Sequence, residues 1–169
     1  PPPMGFVRIV GGELRGRRIR VADRGVRPTS ARTREAVFDI MGTSRVSGAY
    51  VLDLYAGTGA LGIEALSRAA GEADFVEGNR AVARVLRENL ESLGLKARSR
   101  VHEADLSRIE LPAGAAGPFD VVFLDPPYEG TAGSLWLERL AGIPWPESGG
   151  LIVYERRKGA RVKTPAGLK

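Results

Sequence analysis

Cysteine is absent from the 169 residues, and histidine occurs once, as His102. The first absence excludes disulfides, thiol nucleophiles and thiolate metal sites. The second removes most histidine-based catalysis and most zinc constellations, so no metal is expected. No apolar run approaches the ~18 residues of a membrane span, and the N-terminus lacks the apolar stretch of a signal peptide. A cytoplasmic protein with no membrane contact is the expectation. No G-x-x-x-x-G-K-[ST] occurs, which sets aside ATP or GTP held by a P-loop.

What is present is ordinary in bulk and uneven in distribution. A hydrophobic content of 43% with 27% charged residues fits one globular domain with a real core. The net charge is +5. Residues 1–34 hold nine arginines (Arg8, Arg15, Arg17, Arg18, Arg20, Arg24, Arg27, Arg32 and Arg34) against Glu13 and Asp23, a local net of +7 that leaves −2 for the rest. A basic arm on a near-neutral body fits a polyanion, nucleic acid above all, although a solvated charged face would have the same composition. Arginine rather than lysine favours forked phosphate contacts and stacking on bases.

PPPMG at the start reads as an expression remnant and is left out of the fold. FVRIV (6–10), Gly11-Gly12 and ELRGRRIRV (13–21) read as a β-hairpin with arginines on its second strand. A loop over 22–31 ends in a helix cap. The helix from Arg32 to Met41 carries Ala36, Val37, Ile40 and Met41 on one stripe and stops at Gly42. From residue 50 the pattern alternates: strand 50–55, helix within 56–70, strand 73–77, a helix capped by Asn79, strand 99–105, strand 119–124, helix 134–141 and strand 150–155. That alternation implies an α/β fold with a doubly wound, mostly parallel sheet and helices on both faces. The expected organisation is an N-terminal hairpin-and-helix extension over 6–42 and a sheet domain over 43–169. The polar end, KGARVKTPAGLK, supplies no closing strand; either the sheet has five strands or C-terminal strands are missing, and the second is favoured. His102 lies mid-strand and is read as structural.

Two segments carry chemistry. DLYAGTG (53–59) sits where the first sheet strand becomes a helix, at the end of an open sheet where ligands bind. Alone, the turn could be an ordinary βα connection. Gly57-Thr-Gly59 followed by Ala60-Leu-Gly62 is read as departing from the dinucleotide fingerprint, which disfavours a dehydrogenase. Acids then end three successive strands: Asp53, Glu77, suited to ribose hydroxyls, and Asp105, suited to an adenine amino group. Together they point to an adenosine-type cofactor.

The other segment is VVFLDPPYEG (121–130). Asp125-Pro126-Pro127-Tyr128 ends the fourth strand, which lies beside the first in a doubly wound sheet and so faces the same crevice. A nucleobase amine is a poor nucleophile because its lone pair is delocalised into the ring. The Asp125 carboxylate and Pro126 carbonyl could accept its N–H bonds and disperse the charge that develops on nitrogen. Pro126 and Pro127 hold the acceptors in fixed positions, and Tyr128 offers a ring for stacking, worth ~1–3 kcal/mol.

DLYAGTGALGIEALSR (53–68) with FLDPPY (123–128) resembles the class I S-adenosylmethionine-dependent methyltransferases of exocyclic amines, which are Rossmann-like. RIVGGELRGRRI (8–19) with RPTSARTREAVFDIM (27–41) is similar to the RsmD family of 16S rRNA guanine-N2 methyltransferases. The resemblance implies S-adenosylmethionine as donor, S-adenosylhomocysteine as product, and methylation of one guanine in small-subunit rRNA or its assembly intermediate, by a monomer. It implies that Asp53, Gly57, Gly59, Glu77, Asp105 and Leu106 line the cofactor site and that Asp125, Pro126 and Tyr128 handle the base. Arg15, Arg17, Arg18, Arg27, Thr29 and Pro127 would bind substrate. Asn79 stands where family members often carry an acid, and Tyr55 where phenylalanine is commoner. Adenine-N6 methylation of DNA or RNA uses the same D-P-P-Y chemistry and stays open from the pocket residues alone; a non-catalytic RNA-binding assembly factor is the alternative from another class.

Overall fold

The computed structural model describes residues 5–22, 29–115, 117–126, 131–156, 159 and 162–168. Two short antiparallel strands, β1 (Phe6–Arg8) and β2 (Arg18–Arg20), precede helix α1 (Ala31–Met41) and a single helical turn, α2 (Thr43–Val46). Then come β3 (Tyr50–Leu54), α3 (Ala60–Ser67), β4 (Glu72–Glu77), α4 (Arg80–Ser92), β5 (Ser99–Glu103), β6 (Val121–Leu124), α5 (Ala132–Ala141) and β7 (Leu151–Tyr154). Strands β3 to β7 form one sheet in the order β5-β4-β3-β6-β7, every neighbouring pair parallel. The chain winds outward from β3 to β5, then returns to β3's other side with β6. The order reverses between β3 and β6, and this switch point is where an open α/β sheet leaves a crevice.

Side chains alternate across the pleat, so each strand feeds two cores. Val51, Phe75, Val121 and Phe123 pack with Ile63, Leu66, Leu86 and Leu90 of α3 and α4. Leu52, Leu54, Val76, Val122 and Leu124 pack with Trp136, Leu137 and Leu140 of α5. Every residue of α3 is buried, because the sheet covers one side and the N-terminal segment the other. Ile9 and Ile19 seal that outer side at 1% and 0% exposure, each worth roughly 1.5–3 kcal/mol of apolar burial.

Covering α3 completely also buries Glu64, and the extension supplies its partners. The backbone N–H groups of Val10 and Gly11 donate to its carboxylate at 3.0 and 2.7 Å. Arg68 donates at 2.9 Å, and Arg34, fully buried, lies at an ion-pair distance of 3.6 Å. The Arg34 guanidinium also donates to the carbonyls of Thr29 and Arg8. Burial lowers the Arg34 pKa from its ordinary value, and the Glu64 charge partly restores it.

These contacts correct two expectations. Gly11-Gly12 is not a two-residue hairpin turn; the strands are three residues each, and 9–17 forms a wide loop laid on the end of α3. Leu14 N–H donates to the Ser67 hydroxyl and Glu13 N–H to the Ser67 carbonyl. Gly12, at φ +78°, passes so close that a Cβ would sit 1.9 Å from the Ser67 carbonyl oxygen. The second correction concerns α1, which Ser30 caps through Thr33 N–H. Of the expected stripe only Met41 is buried; Val37 is half-buried, Ala36 is exposed and Ile40 is 87% exposed. The inward face is Arg34, Phe38 and Met41, turned by the pairing with Glu64 and by Phe38 packing on Phe123 with ring centroids 5.7 Å apart.

Replacing Glu64 by Leu strands a buried guanidinium and two backbone donors. The expected cost is about 3–5 kcal/mol, read as a lowered urea midpoint. Trypsin should also cut the 9–17 loop faster, because the loop loses its anchor.

Candidate active site

The switch-point crevice is built by two strand exits. β3 runs into Tyr55, which takes φ 59°, a rare conformation for a non-glycine residue. Gly57 and Gly59 follow at φ 56° and 88°, and Gly59 caps α3. Gly62 lets α3 lie against the sheet, since a Cβ there would approach Phe75 to 2.3 Å. Gly57, Gly59 and Gly62 do keep the G-x-G-x-x-G spacing, so the spacing reading that set a dehydrogenase aside is withdrawn. The third glycine has the helix-packing role that this fingerprint requires.

The turn is fastened from below and from both sides. Asp53, 2% exposed, accepts from Gly62 N–H at 2.9 Å. Glu77, the last residue of β4, accepts from Gly57 N–H at 2.9 Å and Asn79 N–H at 2.7 Å. Each Glu77 oxygen keeps a further lone pair for a ligand hydroxyl. Asn79 itself caps α4 through Ala81 and Val82 N–H. Asp105 lies two residues beyond β5, exposed, and caps a 3-10 turn by accepting from Ser107 N–H at 3.0 Å; the Ser107 hydrogen bonds lower its pKa. Leu106 is buried, and its carbonyl accepts from the Trp136 indole at 3.2 Å, an indole that also reaches the Tyr55 hydroxyl at 3.1 Å. Trp136 thereby ties α5 to two walls of the crevice. Asn89, on α4, pairs with both the N–H and the carbonyl of Arg20 at 2.9 Å and donates to the Thr58 carbonyl at 3.1 Å.

On the other side of the switch point, Asp125 follows β6 and Pro126 is buried behind it. Asp125 lines a cavity of about 280 Å³ with Thr29, Thr33, Val37, Leu124, Glu155 and neighbouring residues of α1 and β7. Burial pushes Asp125 up to about 7, with the nearby Glu155 charge adding to it. Asp53 is also pushed up to about 7, by burial first, opposed by the Gly62 hydrogen bond and reinforced by the charges of Asp125 and Glu77. Two acids at one cleft, each raised by burial and by a neighbouring carboxylate, mark a site poised to receive donors or positive charge.

Of the residues singled out from the sequence, Asp53, Gly57, Gly59, Glu77 and Asp125 converge on this crevice, with Asp105 and Leu106 at its β5 side. Thr29 reaches it from the extension. Arg15, Arg17 and Arg18 stand apart on the exposed loop and β2: Arg17 donates to the Ser92 carbonyl at 2.9 Å, and Arg18 lies over the Phe6 ring, 5.7 Å from its centroid. Arg27, Pro127 and Tyr128 lie outside the described residues. His102 is remote, with its Nε2 3.3 Å from buried Asp74. Sequence reasoning missed Arg34, Glu64, Asn89, Trp136 and Glu155. Only Glu155 had a readable signal, as an acid directly after a sheet strand.

Comparison with known proteins fixes the relationship. The family model described as Conserved hypothetical protein 95 matches residues 7–169. The chain belongs to this family, the RsmD family of the resemblance above. It is 34% identical over 168 residues to the ribosomal RNA small subunit methyltransferase D of Haemophilus influenzae, covering 98% of this chain and 86% of that one. To the Escherichia coli protein of the same name it is 42% identical over 125 residues, 73% of this chain and 61% of that one. The solved structure of the Escherichia coli protein yhhF superposes with a TM-score of 0.82 at 36% identity, covering 96% of this chain and 87% of that one. The five-stranded sheet with its flanking helices is the Rossmann-like class I methyltransferase fold, preceded by an antiparallel N-terminal ribbon.

The raised acids give a pH test of the site. The folded Asp53 pKa of about 7 stands above its ordinary value of 3.8. Between those limits the native state holds a proton that the unfolded chain has lost, so stability falls as pH rises through the window and levels off above about 7. Asp53→Asn, which keeps an acceptor for Gly62, should exceed the wild type in urea midpoint at pH 8. That advantage should shrink steadily toward pH 4.

Proposed function

We propose that this protein methylates the exocyclic N2 amine of one guanine in 16S rRNA, with S-adenosylmethionine as donor and the small ribosomal subunit or its assembly intermediate as substrate. The observation that carries the reading is the juxtaposition at the switch point. A glycine turn braced by Glu77 after β3 lies beside Asp125 and Pro126 after the neighbouring β6, next to a base-sized cavity. The names of the relatives support rRNA of the small subunit as the target.

In this reading Asp53, Gly57, Gly59, Glu77, Asp105 and Leu106 hold the donor. Glu77 takes the ribose hydroxyls with its remaining lone pairs, and Asp105 faces the adenine side. The residues fit such a group: the turn is free of side chains at Gly57 and Gly59, and acceptors ring it. When bound, S-adenosylmethionine supplies a sulfonium-activated methyl group and is left as S-adenosylhomocysteine. The protein's part is to prepare the acceptor. Asp125 and the Pro126 carbonyl take hydrogen bonds from the amine, which holds the lone pair toward the donor and spreads the positive charge that develops on nitrogen. One amine proton then leaves to the Asp125 carboxylate or to water. Substrate binding is assigned to Pro127 and base stacking to Tyr128. The base must leave its helix stack to enter.

We assign RNA contact to the extension over 6–42, with Arg15, Arg17, Arg18 and Arg27 on phosphates and Thr29 at the cavity, and methyl transfer to 43–169. Adenine-N6 methylation is the second reading, because the Asp125 turn serves that amine equally well.

Transfer of labelled methyl to rRNA and to partly assembled small subunits, followed by mapping of the modified base, tests the proposal; methyl on adenine, or on DNA only, overturns it. Asp125→Ala should lower kcat by about 10²–10³ or more while calorimetry shows S-adenosylhomocysteine binding nearly unchanged. Replacing Arg15, Arg17 and Arg18 by Ala should weaken RNA binding and flatten its logarithmic salt dependence by roughly one unit per arginine.

A further inference from the structure

The cavity beside Asp125 holds a second carboxylate, Glu155. β6 and β7 pair in parallel with Leu124 opposite Tyr154, and Glu155 N–H donates to the Leu124 carbonyl at 2.9 Å. Asp125 and Glu155 are therefore the next neighbours along adjacent strands, which run ~4.8 Å apart. Both line the same wall. Two acids at this spacing repel unless donors come between them, and the charge of Glu155 is one of the causes that raise Asp125.

The two candidate bases differ in what they place beside their amine. Guanine carries N1–H next to N2–H2, a continuous row of donors. Adenine carries a bare N1 lone pair next to N6–H2. A wall with one carboxylate accepts either amine; a wall with two accepts a row of donors and repels a lone pair.

We propose that Glu155 is the specificity-determining acceptor of this site, taking guanine N1–H while Asp125 takes N2–H, and rejecting adenine through its N1 lone pair. This rests on the reading of the crevice as an exocyclic-amine methyltransferase and supplies the discrimination that Asp125-Pro126-Pro127-Tyr128 lacks. Arg156, which lines the same cavity, is the cation available to guanine O6. A carboxylate can accept several hydrogen bonds, so Glu155 can serve the base together with its protein contacts.

The test uses 2-aminopurine, which keeps the N2 amine but has a lone pair at N1. Once the modified nucleotide is mapped, rRNA carrying guanine or 2-aminopurine there is made by ligation and, where needed, assembled with small-subunit proteins. The wild type should favour guanine in kcat/KM. Glu155→Gln presents an N–H donor in place of one carboxylate oxygen, and the guanine to 2-aminopurine ratio should fall by roughly 10–100-fold, the worth of one good base contact. Loss of O6 in 2-aminopurine affects both enzymes and cancels in that comparison. An unchanged ratio in a folded Glu155→Gln protein overturns the proposal. The wild type supplies an independent check, since N1-methylguanine at the target should be refused; equal transfer to it also overturns the proposal. If the wild type transfers no methyl to guanine in any substrate, the proposed function itself has failed, a result distinct from these.

Discussion

The buried Arg34–Glu64 pair is the constraint on which the arrangement of the rest depends. An ion pair removed from water is costly, and breaking it from one side is costlier than never having had it. Here the cost is offset by hydrogen bonds that no apolar pair could make. Glu64 gathers Val10 N–H, Gly11 N–H and Arg68, while Arg34 reaches the carbonyls of Arg8 and Thr29. One pair therefore fixes the loop from the N-terminal ribbon, the helix after the glycine turn and the segment at the mouth of the cavity. A Leu–Leu pair in the same place would bury α3 as well, but would leave the register of the extension unspecified.

Asn89 makes a second fastening of the same kind. The outward edge of β2 presents the N–H and carbonyl of Arg20, and the Asn89 amide answers both as a neighbouring strand would. Its remaining hydrogen goes to the Thr58 carbonyl inside the glycine turn. The arginine-bearing ribbon is thus tied by one side chain to the backbone between Gly57 and Gly59. Displacing β2 would disturb that turn directly, without any change propagating through the sheet.

Legibility from sequence followed the range of the interaction. The sheet strands, the Asn79 cap and the glycine turn were readable because each is decided by a few adjacent residues: an apolar run, a cap, a positive-φ glycine. The stripe on α1 was misread because Arg34 counted as polar and hence as outward. Only a partner 30 residues away, itself buried by the extension, reverses that assignment. The Gly11-Gly12 turn failed for a related reason. Two glycines signal a tight hairpin when only the local chain is considered, but here Gly12 is needed for close approach to Ser67, and the strands never meet at that point. Glu155 obeyed the same strand-end rule as Glu77 and was passed over because no glycine or proline motif drew attention to it.

The arginines show how far composition can carry a functional argument. The +7 charge of residues 1–34 points to a polyanion, yet several of those side chains are engaged with the protein itself. Arg34 is wholly internal, Arg20 pairs with Glu88 at 2.7 Å, and Arg8 donates to the Gly16 carbonyl. Arg15 and Arg32 are exposed with no ion pair among the described residues; Arg17 and Arg18 are exposed, Arg17 donating to the Ser92 carbonyl on α4 and Arg18 lying over the Phe6 ring. The electrostatic footprint offered to phosphate is narrower than the charge count. In the proposed function, Arg15, Arg17 and Arg18, which stand apart from the cavity lining, supply affinity and orientation for RNA rather than the choice of base. The proposal gives that choice to the few groups lining the cavity, the two carboxylates after β6 and β7 among them, because a pair of acceptors suits a row of donors and a single one does not.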